Sequence, residues 1–543
     1  VFGTEQGLRY RIPFGTVESV IDYLRDHATE DGDRVGMMGD DGEKFGAWPT
    51  TFEHCWGTGR WVERFFEALE SNASWLSTIT PSQWLDREAP IGRVYVPTSS
   101  YAEMGEWALP PDETVVFSRL LHDAVARDDP AARWLRGGFW RNFQVKYREI
   151  NDLHKQMLRV SDLVDRMPEG PLRDAARDHL HRGQSNDCYW HGLFGGIYLA
   201  HMRAATLAHL IAAEDGAETG LGTLVGSGLA DLDLDGRDEL RLATAGQVVT
   251  IELDEGGGIG SWDVRAARHA LAGVLRRRPE AYHEILRTHA AVDDAAEAGG
   301  GAAASIHEMV QVKEAGLADH LIYDDYERRS GLVRILPSGM SAEQWSAGGR
   351  GDLGDFVDGP FRVVHLAGDA AMLARDGVAT IDGASVSVAV QTSITVGGGR
   401  RDPTLEYSVS VENRSDRTLE ARIGVEWAFT LLGGGGNPQA WWALDGIRSA
   451  HDGVGDASGI TELGQGNDWL GVQLTTTVDP AADAWHAPIE TISNSEAGLE
   501  RVYQGSALLL SWPVRLEPGN RFGATIRHGV RVAADKAALE SAG

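Results

Sequence analysis

Apolar residues change their spacing once along this 543-residue chain, and the change divides it. Over 113–213 they return at helical intervals, which predicts helices over 113–127, 151–167, 172–182 and 193–213. From Leu229 onward glycine rises and alternation takes over. Leu405, Tyr407, Val409 and Val411 point one way while Glu406, Ser408, Ser410 and Glu412 point the other, the pattern of a half-buried antiparallel strand. Similar strands are expected near 248–253, 384–396, 422–431 and 507–514, so a large antiparallel β-sandwich closes the chain. Before the helical block the grammar is mixed. Val17, Val20, Ile21 and Leu24 fall at helical spacing behind Thr16, a candidate N-cap, and a second amphipathic helix is expected over 61–69. Short apolar runs over 35–38 and 93–97 read as strands, and helix alternating with strand is how a parallel barrel is written. The expected class is therefore multidomain, α/β then all-α then all-β. Its parts are the closing portion of a barrel over 1–109, a helical subdomain over 110–215 and the sandwich over 216–543.

The run over 35–38 feeds straight into GDDGEKFGAW, which crowds Asp40, Asp41 and Glu43 at the place where barrel enzymes keep their chemistry. A second segment, RGQSNDCYWHGLFGGIYLAHMR, sets Asn186, Asp187, Tyr189, Trp190 and His191 ahead of Gly192, Gly195 and Gly196. Hydroxyl-binding polar groups, aromatic faces and closely approaching backbone are what a sugar subsite requires. Together the two segments resemble glycoside hydrolase family 57, in its 4-α-glucanotransferase and α-amylase branch. The resemblance extends through LRYRIPFGTVESVIDYL, VYVPTSSYAEMGEWALP, LRGGFWRNFQVKYREINDLHKQML and PIETISNSEAGLERVYQG, and so covers nearly the whole chain.

That resemblance implies a distorted seven-stranded barrel and a retaining double displacement on α-1,4-glucans such as maltooligosaccharides and amylose, without an organic cofactor. Retaining chemistry needs two carboxylates roughly 5 to 5.5 Å apart, a nucleophile and an acid/base. Within DDGEKFG the family's acid/base aspartate stands two places before the glutamate, which lands on Asp41, with Asp40 as the fallback. Like charge from Asp40 and Glu43 and partial burial behind Phe45 and Trp48 would raise the Asp41 pKa. By spacing alone, clustered acids in a loop are more often a solvated turn or a cation site. The family's nucleophile, a glutamate in a Trp-x-x-Glu-Arg setting, and its His-rich strand end have no counterpart between Val1 and Gly543, so the chain reads as N-terminally truncated. Glu103, Glu106 and Glu149 occupy matching segments but not that motif. Sugar contacts are expected from Glu43, Trp48, Tyr101, Glu106, Trp107, Trp140, Asn186, Trp190 and His191, with Lys146 as a further hydroxyl partner. A tryptophan in such a place is otherwise a packing anchor, and the polar members are otherwise caps or ion-pair residues.

Asp231, Asp233 and Asp235 before Gly236 form DLDLDGRDE, which looks like the start of a calcium loop and would bind a structural Ca²⁺. Position twelve is Leu242 instead of the bidentate glutamate, so a charged β-turn is the competing reading. His154, His181, His191 and His201 show no HExxH spacing, which argues against a catalytic metal. A net charge of -30 disfavours nucleic acid and anionic membrane as partners. Cys55 and Cys188 give neither a disulfide framework nor a four-cysteine zinc site, and a cytoplasmic location is favoured. No apolar stretch approaches the length of a membrane span. A homodimer is a further expectation. The choice between transferase and the hydrolysing α-amylase stays open, as does a reading of another class: a non-catalytic glucan-binding or structural protein.

Overall fold

The computed structural model describes residues 7–534 except 49, 96–97, 99, 101–102, 191–194, 290–311, 315, 349–350 and 496–497. Tyr101 and His191, and the Ala- and Gly-rich stretch 290–304, whose composition predicts a surface loop, therefore lie outside the described residues. The backbone divides into two units, 1–99 with 294–311 and 100–293 with 312–543.

In the first unit α1 (Val17–His27) starts as its sequence demands. Thr16 sits in extended backbone and its hydroxyl accepts the Ser19 N–H at 3.1 Å, satisfying one of the helix's orphan donors. It is followed by α2 (Thr51–Cys55), α3 (Trp61–Ser71) and α4 (Pro81–Arg87). Val17, Val20 and Ile21 of α1 share a core with Trp61 and Val62 of α3. The Trp61 indole N–H reaches the Gly15 carbonyl at 2.6 Å, which fixes where the chain enters α1.

Among the described residues the two strands expected here do not form. Over 35–38 there is one isolated bridge, at Gly36, and Met37 is 47% exposed. In the second run Val94 and Tyr95 are 83% and 85% exposed, and the residues after them lie outside the described set. A run this short buries its backbone only when neighbouring strands complete its hydrogen bonds. Among the described residues of this unit there is no strand to do so, and the expected barrel segment is not seen.

The second unit opens with α5 (Met104–Trp107), α6 (Pro111–Ala126), α7 (Trp140–Lys146), α8 (Arg148–Arg166), α9 (Pro171–Gly183) and α10 (Ala200–Leu221). Leu153, Val160 and Val164 of α8 pack with Leu180 of α9 and Leu210, Ala213 and Ala217 of α10. The last helix begins at Ala200 rather than 193 because Gly195 and Gly196 take φ of 98° and 47°, and a short 3₁₀ turn, Gly196–Tyr198, follows. It also runs on to Leu221, past the predicted end at 213.

Five strands then form an antiparallel meander in chain order: β1 (Gly226–Ala230), β2 (Glu239–Ala243), β3 (Gln247–Glu252), β4 (Gly258–Val264) and β5 (His269–Ala270). After α11 (His283–His289) come β6 (Leu332–Leu336), α12 (Ala342–Ser346), β7 (Arg362–Ala367), β8 (Ala370–Ile381) and β9 (Ala384–Gly398). The chain closes with β10 (Pro403–Asn413), β11 (Leu419–Phe429), β12 (Ala440–Leu444), β13 (Ile447–Ala450), β14 (Gly455–Asn467), β15 (Val472–Ser495), β16 (Gly498–Leu516) and β17 (Arg521–Val532). Strands β6 to β17 make one twelve-stranded antiparallel system, whose main path runs β13-β12-β14-β15-β17-β10-β9-β8-β7. The 24-residue β15 joins its parts: residues 472–479 pair with β17, and 483–495 with β16, which in turn carries β11 and β6.

The predicted alternation holds at β10, where Leu405, Tyr407, Val409 and Val411 are at most 3% exposed. Tyr407 meets Trp427 of β11 edge-on at 5.5 Å, and Trp427 meets His528 of β17 at 4.2 Å, so inward faces of separate parts interlock. Trp262 of β4 packs on the same His528 at 5.6 Å, which draws the small meander into that core.

Candidate active site

The carboxylates of GDDGEKFGAW divide into two roles. Asp40 is buried, with a side chain 1% exposed. It accepts Lys44 Nζ at 2.5 Å, Arg9 Nε at 3.1 Å and the Asp41 backbone N–H at 2.9 Å. Lys44 is as buried as its partner, and its ammonium stands 5.4 Å from the ring centroids of Tyr10 and Trp48 and 5.7 Å from that of Phe14. A buried cation is tolerable only when paired, and here one carboxylate and three π-faces surround it. Phe14 stacks on Trp48 at 5.8 Å, and the Glu43 carbonyl accepts the N–H groups of Ala47 and Trp48. The loop is thereby built on Asp40 and Lys44.

Asp41, next in the chain, points elsewhere. Its side chain is 49% exposed, and the nearest cation is Arg9, whose Nη2 stands at 4.0 Å. Burial of its inner side and the adjacent Asp40 carboxylate push the Asp41 carboxyl up, with a smaller push from Glu43, against the pull of Arg9 and Lys44. A half-exposed carboxyl whose pKa is raised, on a loop locked by a buried ion pair, suits a group that must meet solvent and substrate in turn. Asp40 has no free face for that work. Glu43 is exposed at the rim, and Trp48 is half-buried with its indole N–H lacking a partner among the described residues.

In the second unit Trp107 and Trp190 lie together, their rings 5.5 Å apart at 48°. They and Trp140 flank a core of Met104, Ala108, Phe143, Tyr147 and Ile150. Trp140 has other ring and hydrogen-bond partners: its ring meets His154 edge-on at 4.8 Å and its N–H donates to the Tyr189 carbonyl at 3.1 Å. Lys146 donates to the Trp107 carbonyl at 3.1 Å, Glu106 is half-buried on α5, and Asn186 is exposed at the start of a 3₁₀ turn, Asn186–Tyr189. Glu149 is an anchor, paired with Arg278 at 2.7 Å, and these hydrogen-bonded partners overcome its burial to hold it at about 2.

The sequence reading missed the residues behind these surfaces. Buried Glu280 accepts the hydroxyls of Tyr147 and Tyr198, each at 2.6 Å, with Lys146 at 3.5 Å. Gln504 of β16 accepts Arg203 Nη1 at 2.8 Å and donates to the Tyr198 carbonyl at 2.8 Å, directly beyond the Trp190 segment. Arg9, Tyr10, Phe14 and Lys44 complete the Asp41 loop. In LRYRIPFG the close mixing of cations with aromatics was the available signal.

Carboxylate oxygens of Asp231, Asp233 and Glu239 lie within 4.8 Å of one another, a spacing that a hard cation could use. Asp235 is outside this group; its side chain accepts the Arg237 N–H at 2.8 Å, while its own N–H donates to Asp231 and Asp233 at 3.0 Å. Glu239 accepts the N–H groups of Leu232 and Asp233 at 2.6 and 3.2 Å.

Comparison with known proteins follows from these features. Residues 1–97 match glycosyl hydrolase family 57, 138–217 the middle domain of α-amylase/4-α-glucanotransferase, and 231–526 the C-terminal domain of the same group. The chain belongs to glycosyl hydrolase family 57. Among its family 57 relatives, α-amylase 1 of Dictyoglomus thermophilum is 32% identical over 98% of this chain and 74% of its own length. A 4-α-glucanotransferase of Thermococcus kodakarensis is 32% identical over 95% of this chain and 72% of that protein. The crystal structure of 4-α-glucanotransferase from Thermococcus litoralis superposes with a TM-score of 0.76 at 28% identity, covering 98% of this chain and 73% of that one. Among the described residues no helix is long and apolar enough to cross a membrane.

Proposed function

We propose that this family 57 chain serves a 4-α-glucanotransferase that acts on α-1,4-glucans by retaining double displacement, with Asp41 as general acid/base. The observation that carries the reading is the contrast between neighbours: Asp40 is buried and ion-paired, while Asp41 is half-exposed, with burial and the Asp40 carboxylate pushing its carboxyl up. In the first step Asp41 protonates the departing glycosidic oxygen; in the second, as carboxylate, it takes the proton from the acceptor hydroxyl. Trp48, and in the other unit Trp107 and Trp190, offer faces for the apolar sides of glucose rings. Names of the relatives support both transfer and hydrolysis. Transfer is favoured where aromatic faces hold a second glucan long enough to outcompete water.

The test is to incubate the full-length gene product with maltotetraose and resolve the products by chain length. A ladder of shorter and longer oligomers that vanishes in Asp41→Asn supports the transferase. Shorter products alone, with one new reducing end per cleavage, establish the α-amylase reading instead. Binding of maltotetraose without turnover identifies a glucan-binding protein and removes the role given to Asp41. We also propose that Asp231, Asp233 and Glu239 hold a structural Ca²⁺, which their clustered oxygens would suit.

A further inference from the structure

A cleft of about 290 Å³ opens in the second unit between α12, residues 323–334 and strands β15 and β16. The volume is close to the roughly 300 Å³ at which ligand clefts begin and is enough for one hexose ring. Its floor is a network of buried charges. Arg277 grips Asp324 with Nε at 3.1 Å and Nη2 at 2.6 Å. Arg328 bridges Asp324 and Glu426, the latter at 2.6 Å. Arg334 bridges Glu426 and Asp352 and donates to the Tyr326 hydroxyl at 2.7 Å. The Tyr326 ring is flanked by Arg328 and Arg334 at 5.1 and 4.7 Å.

Two features point from this network to a ligand. Arg328 is 8% exposed, yet its Nε–H has no partner among the described residues. Within this network the Nε–H groups of Arg277 and Arg334, the Tyr326 hydroxyl and the Trp345 indole N–H each have an acceptor, so Arg328 Nε–H is the donor a ligand oxygen could take. Trp345 lines the cleft beside it, its N–H tied back to Glu426 at 3.3 Å, which leaves the indole as an apolar wall. Asp358 and Ser346 supply an exposed carboxylate and a half-buried hydroxyl at the rim.

The charge balance selects the ligand class. Arg277, Arg328 and Arg334 face Asp324, Asp325, Asp352 and Asp358, and the deep members are already paired. An ionic ligand would have to displace a partner and leave a buried charge alone. A neutral polyol adds acceptors for Arg328 Nε and donors for the carboxylates without disturbing any pair, while its C–H face covers an aromatic wall. We infer that this cleft is a saccharide-binding site of the sandwich, non-catalytic and independent of Asp41.

Hydrogen exchange of the full-length protein with and without saturating maltose tests this. Protection is expected at residues 323–328 and 342–348, and Ser346→Trp, which fills the rim without touching the paired charges, should weaken that protection midpoint at least tenfold. Tyr326→Phe, which keeps the ring, should weaken it less. Asp41→Asn should leave it unchanged, so loss of the catalytic reading would not remove this one. Absence of protection at both segments, or equal midpoints for wild type and Ser346→Trp, would overturn the inference.

Discussion

Removing the Asp40 carboxylate should be far more damaging than removing that of Asp41, although the two are adjacent acids in one loop. Asp40 and Lys44 are 1% and 2% exposed at 2.5 Å, so Asp40→Ala strands an ammonium among Tyr10, Phe14 and Trp48. Breaking a buried pair from one side costs about 3–5 kcal/mol. In a unit of this size that corresponds to a fall in Tm of roughly 12–40 °C for its transition. Asp41, half-exposed and 4.0 Å from Arg9, should lose less than about 1 kcal/mol on the same change. Native-state hydrogen exchange of the amides in α1 and α3 across a urea series reads this unit separately from the sandwich. Asp40→Leu combined with Lys44→Met should recover most of the loss, because an apolar pair removes both desolvation costs. Equal effects of Asp40→Ala and Asp41→Ala, or no recovery in the double variant, would refute the assignment of Asp40 as the loop's anchor.

His451 is buried between the Tyr503 hydroxyl and Gln465, and burial pushes its pKa down to about 4. The unfolded chain therefore takes up the proton first, so stability present above the unfolded pKa near 6.5 falls as pH drops toward 4, by roughly 3 kcal/mol. His451→Gln should flatten that slope in urea titrations; an unchanged slope would show that other groups set the acid limit. If Asp231, Asp233 and Glu239 hold Ca²⁺, the ion at a hundred times its Kd should add about 2.7 kcal/mol to unfolding, and Glu239→Gln should abolish the increment. Trp190→Ala should raise KM for maltotetraose roughly tenfold with kcat little changed, a pattern expected of uniform binding. An equal fall in kcat would instead tie this ring to the transition state.

Much of the second unit was legible because its signals are local. Helical spacing located α6, α8 and α9 to within a few residues, and strict alternation located β10. The start of α10 was misjudged because apolar residues continue the helical pattern through 193–199, whereas the backbone breaks at Gly195 and Gly196. The strand expected over 35–38, and the described part of the one expected over 93–97, are missing for a different reason: apolar composition specifies a strand only if other strands are there to pair with it. Asp41 was legible through its motif, but the division of labour with Asp40 was not, since it depends on Arg9 and Lys44 closing over one carboxylate from opposite sides in the chain. The buried acids and arginines around Glu280, Asp324 and Glu426 had no visible signature. In a sequence, a paired buried charge and a solvated one look the same.

Gln504 changes what the sandwich can be for. Its amide spans Arg203, at the start of α10, and the Tyr198 carbonyl, a few residues beyond Trp190. The stretch between the two aromatic and helical landmarks is thus closed by a side chain that arrives some three hundred residues later in the chain. During synthesis the Tyr198 carbonyl and Arg203 gain this partner only after β16 has been made. A protein trimmed before that strand would keep Trp190 and still lack the clasp that ties the Tyr198 carbonyl to Arg203.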